Sequence, residues 1–397
     1  MKFQKKLRMA KNNWYIISIW LLVSVAFFLM IYTSLWSISF KAQTSLMQQE
    51  KANMEEMLDS TRNELEELKN QDQVKINKEL NERIENIEET YDIAVSVYEK
   101  LLDLKDSTDK TESFDELFTQ SLVLLSEEKY ATASSKLDEL EKLIKEKRDE
   151  IAASFTIPVN IPESNAPPGA GYSRQSVTTD AGTFMVSMVA ADLGGTRIIV
   201  DTASDSDCGN DCPVLPLSEY VSRNGAFAGV NGSYFCPVTY PSCAGKTNTF
   251  DLLVMNHKKT YFNSGNNVYS NNPAVIFGDG YIRFISAASQ WGRDTSPNGV
   301  LSNYPMLVFN NNVVFGGDDD PKKGSKGARS FVSNKGNTVY IGVVHSATVA
   351  ESARAMNALG MENAMNLDNG GSTALWSGGY KVGPGRNLPN VILFVSK

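Results

Sequence analysis

The stretch "SATVAESARAMNALGMENAMNLDNGGSTALW", Ser346–Trp376, decides the fold. Its first half has the pattern of a helix, which Ser346 or Thr348 can cap and which Gly360 ends. The apolar run that follows predicts a buried strand, and this run stops at Asp368. Two glycines and two hydroxyl residues come next, before the chain turns apolar again. The stretch therefore predicts a helix, a strand and a polar turn that carries a carboxylate.

Short apolar runs separated by Gly, Asn, Asp and Ser fill most of the chain after Gly171. Such runs predict strands, among them "TFMVSMVAADL", "TRIIVDTA", "FAGVNGSYF", "PAVIFGDGYIRFI", "YPMLVFNNNVV" and "NVILFVSK". Helical patterns are few in this region. A helix between two buried strands predicts that residues 172–397 form an α+β head with a mixed sheet.

The N-terminal region predicts a membrane anchor. Residues 1–13 carry five Lys or Arg, and no charged residue occurs from Trp14 to Trp36. A transmembrane helix over residues 14–40 fits, because about 20 apolar residues cross a hydrocarbon core of roughly 30 Å. A cleaved signal peptide is the alternative, but its apolar core is shorter and no A-x-A site follows here. Because a basic flank stays in the cytoplasm, we expect a single-pass protein whose head lies outside the cytoplasm.

A helical stalk is predicted between anchor and head. Residues 41–154 contain neither glycine nor proline, which favours an all-α coiled coil or helical hairpin. The heptad pattern breaks at Asp72 and Lys75, and a turn is predicted at Asp106–Ser113. A spacer that forms a homodimer is the favoured interpretation, and a docking module for a partner is the alternative. Four prolines and two glycines in residues 155–171 predict a semi-rigid linker.

Charge and cysteine content narrow the class of protein. The formal net charge of -8 argues against nucleic acid as a partner. The four cysteines are Cys208, Cys212, Cys236 and Cys243. No histidine lies among them, so disulfides of an exported domain are favoured over a zinc site. Of the three connectivities, we favour the local one, Cys208 with Cys212 and Cys236 with Cys243.

The order of motifs in the head resembles one known family. It runs "GVNGSYF", "YPMLVFNNN", "ARSFV", "ALGMENAMNLDNGGSTALW" and "GPGRNLPNVILF". This order is similar to that of the phosphodiester glycosidase family, over about residues 171–397. The family has an NGG-[FY]-F-like loop, an Arg-Thr/Ser segment and an LDGGGS loop. Ser233 and Asn369 stand where that pattern has glycines, and the added bulk bears on the choice of substrate.

The resemblance implies hydrolysis of a sugar linked through its anomeric oxygen to a phosphodiester. Asp368 can then serve as acid, base or nucleophile at the anomeric carbon. Gly370 and Gly371 let the backbone come close and offer N–H groups to an anion. Ser372 and Thr373 add hydroxyl donors.

Arg329, in "KGARSFV", is the predicted catalytic cation, because a guanidinium can hold a phosphate with two parallel hydrogen bonds. Asn231 is predicted to orient a sugar hydroxyl, although a plain Asn-Gly turn is the alternative. The remaining predicted substrate-binding residues are Ser233, Tyr234, His345, Asn366 and Arg386. A second carboxylate is not evident from the sequence, and the candidates are Glu351, Asp251, Asp279 and Asp318–Asp320.

We predict no cofactor and no metal. The run "GGDDDPKK" offers clustered oxygen ligands for calcium, but three aspartates before a proline are more often a solvated turn. The predicted protein is thus a membrane-anchored, outward-facing glycosidase. Its predicted substrates are sugar-1-phosphodiester linkages in cell-surface glycans or exopolysaccharides. A non-catalytic glycan-binding head on a helical stalk is the alternative.

Overall fold

A computed structural model describes residues 3–263, 265 and 270–397. Met1 and Lys2 of the predicted basic tail lie outside the described residues. The chain divides into two compact units, Met1–Asn86 and Ile87–Lys397. The second unit therefore includes residues 87–154 of the predicted stalk together with the head.

The first unit is helical. Helix α1 spans Phe3–Asn70, and α2, Asp72–Lys105, begins in this unit and ends in the other. From Ser18 onward α1 is long and apolar enough to cross a membrane, a criterion that a signal sequence also meets. Met54, Leu58, Leu65 and Leu68, which suggested a coiled coil, are more than half exposed in the single chain, and the coiled coil stays a prediction.

The second unit opens with a small helical bundle, which we call the helical module (residues 87–154). It consists of the end of α2 with α3 (Glu112–Ser126) and α4 (Tyr130–Ser154). The connection between α2 and α3 lies within the predicted turn at Asp106–Ser113. Their facing sides bury one apolar cluster, formed mainly by Val97, Leu101, Leu104, Leu125, Leu137 and Leu140. Burial of such side chains is the main stabilising term for a bundle of this size.

The head contains three sheets among the described residues. The strands are β1 (Gly171–Thr179), β2 (Gly182–Asp192), β3 (Thr196–Thr202), β4 (Ala228–Asn231), β5 (Val254–Met255), β6 (Tyr261–Phe262), β7 (Ala274–Gly278), β8 (Tyr281–Ile285), β9 (Gly299–Ser302), β10 (Met306–Phe309), β11 (Asn312–Val313), β12 (Gly327–Lys335), β13 (Thr338–Ala347), β14 (Asn363–Asn366), β15 (Leu375–Ser377), β16 (Tyr380–Val382) and β17 (Asn390–Ser396). The head also has helices α5 (Leu217–Asn224), α6 (Pro321–Gly324) and α7 (Val349–Ala358).

The strand orders are β1-β2-β13-β12-β14-β10-β11, β16-β15-β4-β17-β3 and β6-β5-β9-β7-β8. One core lies between the sheets, since all three contribute to it, for example through Val200, Val275 and Ile341. Helix α7 packs on the outer face of the first sheet, where Met356 and Leu359 join Phe331 in a second cluster.

The α+β class is confirmed, whereas the sheets are antiparallel rather than mixed. Every ladder between the named strands is antiparallel in the described part of the chain. Helix α7 does connect two strands, β13 and β14, that run in the same direction. They do not pair, because β12 lies between them and is antiparallel to both. The sequence predicted the helix that connects these two strands, but not that β12 lies between them.

Candidate active site

A cavity of about 640 Å³ opens at one end of the head, where β4, β12 and β14 meet. The head lines it with the loop after β4, the segment before β12, the end of β13, the loop after β14 and the loop before β17. The helical module closes one side. Residues that line the cavity include Asp106, Arg148, Tyr234, Tyr240, Asp251, Arg329, His345, Asp368, Gly370, Gly371, Ser372 and Arg386.

Asp368 lies two residues beyond the end of β14, and its main chain is fixed on both sides. Its N–H donates to the carbonyl of Gly232 at 2.9 Å, and its carbonyl accepts from Asn231 Nδ2 at 2.7 Å. The carboxylate accepts from the N–H of Asn369 at 2.8 Å. The predicted catalytic carboxylate is therefore held at the floor of the cavity by the strand ends around it.

The surroundings of Asp368 change its acidity. Burial raises the pKa of this carboxyl to about 7, although a hydrogen bond from Ser372 and the charge of Arg386 oppose the rise. Near neutral pH both the charged and the neutral form of such a group are populated, so the group can accept or donate a proton.

The turn after Asp368 provides backbone donors. Gly370 has φ +61°, a conformation that favours glycine. Gly371 meets two side chains so closely that a Cβ there would lie 2.1 Å from Asp106 Oδ2 and 2.3 Å from Arg386 Nη2. Within the described residues, the N–H groups of Gly370 and Gly371 have no hydrogen-bond partner. This arrangement supports the predicted anion-binding turn.

Arg329 lines the cavity but is partly occupied by its own loop. Its Nε donates to the carbonyl of Ala347 at 2.9 Å, and its Nη2 donates to the carbonyls of Lys322, at 3.0 Å, and Ser325. Among the described residues, Nη1 has no such partner. Burial lowers the pKa of Arg329 to about 10, so the guanidinium stays charged at neutral pH. Arg329 thus offers charge and one free nitrogen rather than the predicted two-bond clamp.

Arg386 contacts the glycine turn that follows Asp368. Its N–H donates to the carbonyl of Gly371 at 2.7 Å, and its guanidinium lies 5.5 Å from the centre of the Tyr240 ring. Its Nη2 donates to Asp106 of the helical module at 2.8 Å. Burial alone would lower the pKa of Arg386, but Tyr240, Asp368 and Asp106 raise it. The structure therefore brings this cation to Asp368 and to the predicted anion-binding turn.

Four predicted substrate-binding residues lie beneath the cavity rather than in its wall. Asn231, Ser233, Asn366 and Thr373 are almost fully buried and do not line the cavity. Asn231 Oδ1 accepts from Ser330 Oγ at 2.8 Å and from the N–H of Ala374 at 3.1 Å. The predicted contact of Asn231 with a sugar is thus replaced by a role in joining strand ends.

The side-chain amide of Asn366, which is also buried beneath the cavity, binds two tyrosines. Asn366 Nδ2 donates to Tyr234 Oη at 2.7 Å and to the carbonyl of Tyr304 at 3.0 Å. Tyr234 itself lines the cavity, and its ring packs edge-on against Tyr304 with centroids 5.1 Å apart. Asn366 therefore sets the position of an aromatic wall.

The two departures from the family pattern turn their side chains into the protein. The N–H of Ser233 donates to Asn390 Oδ1 at 2.9 Å, and Ser233 Oγ accepts from Asn390 Nδ2 at 3.1 Å. Asn369 Oδ1 accepts from the N–H of Ser330 at 2.9 Å, and its Nδ2 donates to Asn366. Both side chains bind neighbouring strands, and of the two residues Asn369 lines the cavity whereas Ser233 does not.

His345, a predicted substrate-binding residue, lines the cavity near the end of β13. Its Nε2 lies 2.9 Å from Ser187 Oγ, and its ring stacks on Phe155 at 6.3 Å between centroids. Burial, together with the charge of Arg174, lowers the pKa of His345 to about 4. The imidazole is therefore neutral at neutral pH and can accept or donate one hydrogen bond.

Most of the candidate second carboxylates have structural partners. Glu351 caps α7 and pairs with Lys326 at 3.2 Å. Asp279 pairs with Lys397 at 3.2 Å. Asp318 and Asp320 both face Lys323, and Asp320 also caps α6. Within the described residues, no group of three or more His, Cys, Asp or Glu is placed to hold a metal ion.

Asp251 is the candidate carboxylate that lies near Asp368. It lines the cavity, and its charge contributes to the raised pKa of Asp368. Burial in turn raises the pKa of Asp251. Asp103, Asp106 and Arg148 of the helical module were missed, because the sequence places them in the stalk. The charged turn "LKDSTDK" contains Asp106 but neither Asp103 nor Arg148.

The four cysteines form two disulfides, one of them in the wall of the cavity. The structure pairs Cys208 with Cys212 and Cys236 with Cys243, which confirms the favoured connectivity. The second pair lies in the cavity wall and closes the loop that carries Tyr240.

Comparison with known proteins bears on the same residues. The model of a family described as phosphodiester glycosidase matches residues 224–395, which include the loops after β4 and β14. The family resemblance is confirmed. No curated protein matches the chain significantly.

Two solved structures match part of the chain at low sequence identity. The catalytic domain of zebrafish N-acetylglucosamine-1-phosphodiester alpha-N-acetylglucosaminidase, described as auto-inhibited by its pro-peptide, is 14% identical with a TM-score of 0.45. The match covers 60% of this chain and 87% of that one. A hypothetical protein from Synechocystis is 13% identical with a TM-score of 0.41, and the match covers 57% of this chain and 62% of that one.

Proposed function

We propose that the head hydrolyses glycosyl phosphodiester bonds. One observation carries the proposal: a carboxylate with a pKa of about 7 lies beside Arg386 and beside a glycine turn whose N–H groups have no partner in the described part of the chain. This arrangement suits a substrate that joins an anomeric carbon to a charged phosphate. The match of residues 224–395 to the phosphodiester glycosidase family supports the same reaction class.

In the proposed reaction, ionised Asp368 takes a proton from a water molecule that attacks the anomeric carbon. The bond between that carbon and the bridging oxygen breaks, and its electron pair goes to the phosphate oxygen. The products are a free sugar and a phosphomonoester. The leaving phosphate needs little protonation, so one carboxylate with nearby cations can be enough. Gly370, Gly371 and Arg386 would hold the phosphate, while Arg329 adds positive charge. The reaction needs no cofactor.

We further propose that the apolar part of α1 anchors the protein in a membrane with its head outside the cytoplasm. Two observations support this: the apolar helix itself and the two disulfides, which are typical of oxidising compartments. Substrates within reach of such a head are cell-surface or secreted polymers that carry sugar-1-phosphate diesters.

A non-catalytic glycan-binding head remains the second candidate function. One observation favours this binding role: Arg329 already donates hydrogen bonds to backbone carbonyls of its own region. Fewer of its N–H groups are then left to hold a phosphate. Incubation of the purified full-length protein with a synthetic sugar-1-phosphodiester separates the two. Release of free sugar and phosphomonoester, lost in Asp368→Asn, supports the glycosidase. Saturable binding without turnover supports the binding protein.

A further inference from the structure

The helical module supplies one wall of the cavity, and it binds the head through polar contacts around one loop. The N–H of Ser242 donates to Glu99 at 3.1 Å, and Tyr240 Oη donates to Asp103. Arg148 pairs with Asp103 at 3.5 Å. Glu99, Asp103 and Arg148 all line the cavity. These contacts hold α2 and α4 against the disulfide-closed loop after β4.

Asp106 makes a different kind of contact, directly at the anion-binding turn. It follows the last residue of α2 and pairs with Arg386 at 2.8 Å. Its Oδ2 also lies so close to Gly371 that a Cβ there would clash with it. Asp106 thus places a carboxylate beside the same guanidinium and the same backbone that a bound phosphate would need.

We propose that Asp106 is an internal competitor for the phosphate position, and that an incoming phosphate replaces it at Arg386. The identity of the anion rests on the proposed function. The exchange is feasible because the pair is part-exposed, with 43% of the Asp106 side chain accessible, and such pairs are weak. Asp106 lies on a turn after α2, so it can swing away while Glu99 and Asp103 keep the helical module in place. The helical module then disfavours ligands that lack a negative charge at this position.

The test is the affinity of the full-length protein, purified in detergent, for inorganic phosphate at neutral pH, measured by calorimetry. Asp106→Asn should tighten the Kd about 2- to 5-fold, as expected from the loss of one part-exposed ion pair. Asp106→Ala should give the same gain, since both substitutions remove the charge. Arg386→Gln should abolish binding in either background.

Asp109→Asn is the matched control. Asp109 is exposed on the same turn, and among the described residues it makes no ion pair or side-chain hydrogen bond. The Asp109→Asn substitution changes the net charge by the same amount as Asp106→Asn and should leave the Kd for phosphate unchanged. An equal gain from Asp109→Asn, or an unchanged or weaker Kd for both Asp106 variants, overturns the proposal.

The same measurements separate this proposal from the proposed function. A protein that shows no turnover but binds phosphate more tightly after Asp106→Asn supports the competitor and refutes the glycosidase. A protein that releases free sugar, but whose phosphate Kd does not respond to Asp106→Asn, supports the glycosidase and overturns the competitor.

Discussion

Asp368 combines a fixed main chain with a carboxyl group whose charge depends on its surroundings. Its hydrogen bonds to Gly232, Asn231 and Asn369 set its position, and burial sets its pKa. From the sequence, the carboxylate, the glycines and the hydroxyl residues could be assigned to one turn. The raised pKa could not, because it depends on packing by residues far along the chain.

Replacement of Asp368 by Asn should separate chemistry from binding. We expect kcat to fall about 100-fold or more, as loss of an acid–base group does. KM should change little, because the carboxylate acts mainly in the transition state. In the wild-type protein, kcat/KM should rise with pH and level off above about 7, where Asp368 is ionised. Steady-state kinetics between pH 5 and pH 9 check both points. A kcat/KM that instead falls above pH 7 would assign Asp368 as a general acid.

The same substitution should also change how stability depends on pH. The folded-state pKa of Asp368 is raised from 3.8 to about 7, so folding favours the neutral form. The contribution of this group is complete below pH 4 and is lost as pH rises through about 7. The loss is at most about 4 kcal/mol, at 1.36 kcal/mol per pKa unit. The amide of Asp368→Asn does not titrate. Melting temperatures at pH 4 and pH 8 should therefore differ less in the variant than in the wild type, and parallel curves contradict the assigned pKa.

At the scale of elements, the strand ends around the cavity are joined by side chains rather than by ladders alone. Asn231 ties β4 to β12, and Asn369 ties the loop after β14 to β12. The sequence predicted the capped helix α7 and the strands on either side of it, because their patterns are local. It missed the antiparallel sheet order and the inward turn of Ser233, which depend on which distant strand becomes a neighbour.

Arg329 also joins elements, because it binds both the segment before β12 and the end of β13. Arg329→Lys removes donors from the carbonyls of Ala347, Lys322 and Ser325. Because a buried hydrogen bond to a charged group contributes about 1.5–3 kcal/mol, the melting temperature should fall by several degrees. Arg354→Lys, at a part-exposed ion pair with Asp180, is the control and should melt near the wild-type temperature. Equal melting temperatures for both variants would show that Arg329 does not support its loop.

For the whole molecule, the sequence predicts a stalk, a linker and a separate head. The structure instead packs residues 87–154 into the same unit as the head. The contacts responsible join residues more than 130 positions apart, such as Tyr240 with Asp103. They are polar and leave no apolar pattern in the sequence, so propensity and periodicity could not reveal them. Dimerisation through the exposed part of the helical region stays a prediction.

The proposed topology can be tested on intact cells. If α1 anchors the protein with its basic end inside, protease added outside cells or spheroplasts should digest the head. Immunoblots against the head and against a cytoplasmic marker report the result. Loss of the head only after permeabilisation would show that the orientation is reversed.

The Cys236–Cys243 disulfide bears on when a newly made protein can form its complete cavity. It closes the loop whose Tyr240 contacts both Asp103 and Arg386, so the wall of the cavity depends on an oxidation. Thiols in a reducing cytosol do not form such bonds. If the head is exported as proposed, the cavity of a newly made chain would be complete only after translocation, and copies still in the cytosol would not act on glycosyl phosphodiesters there.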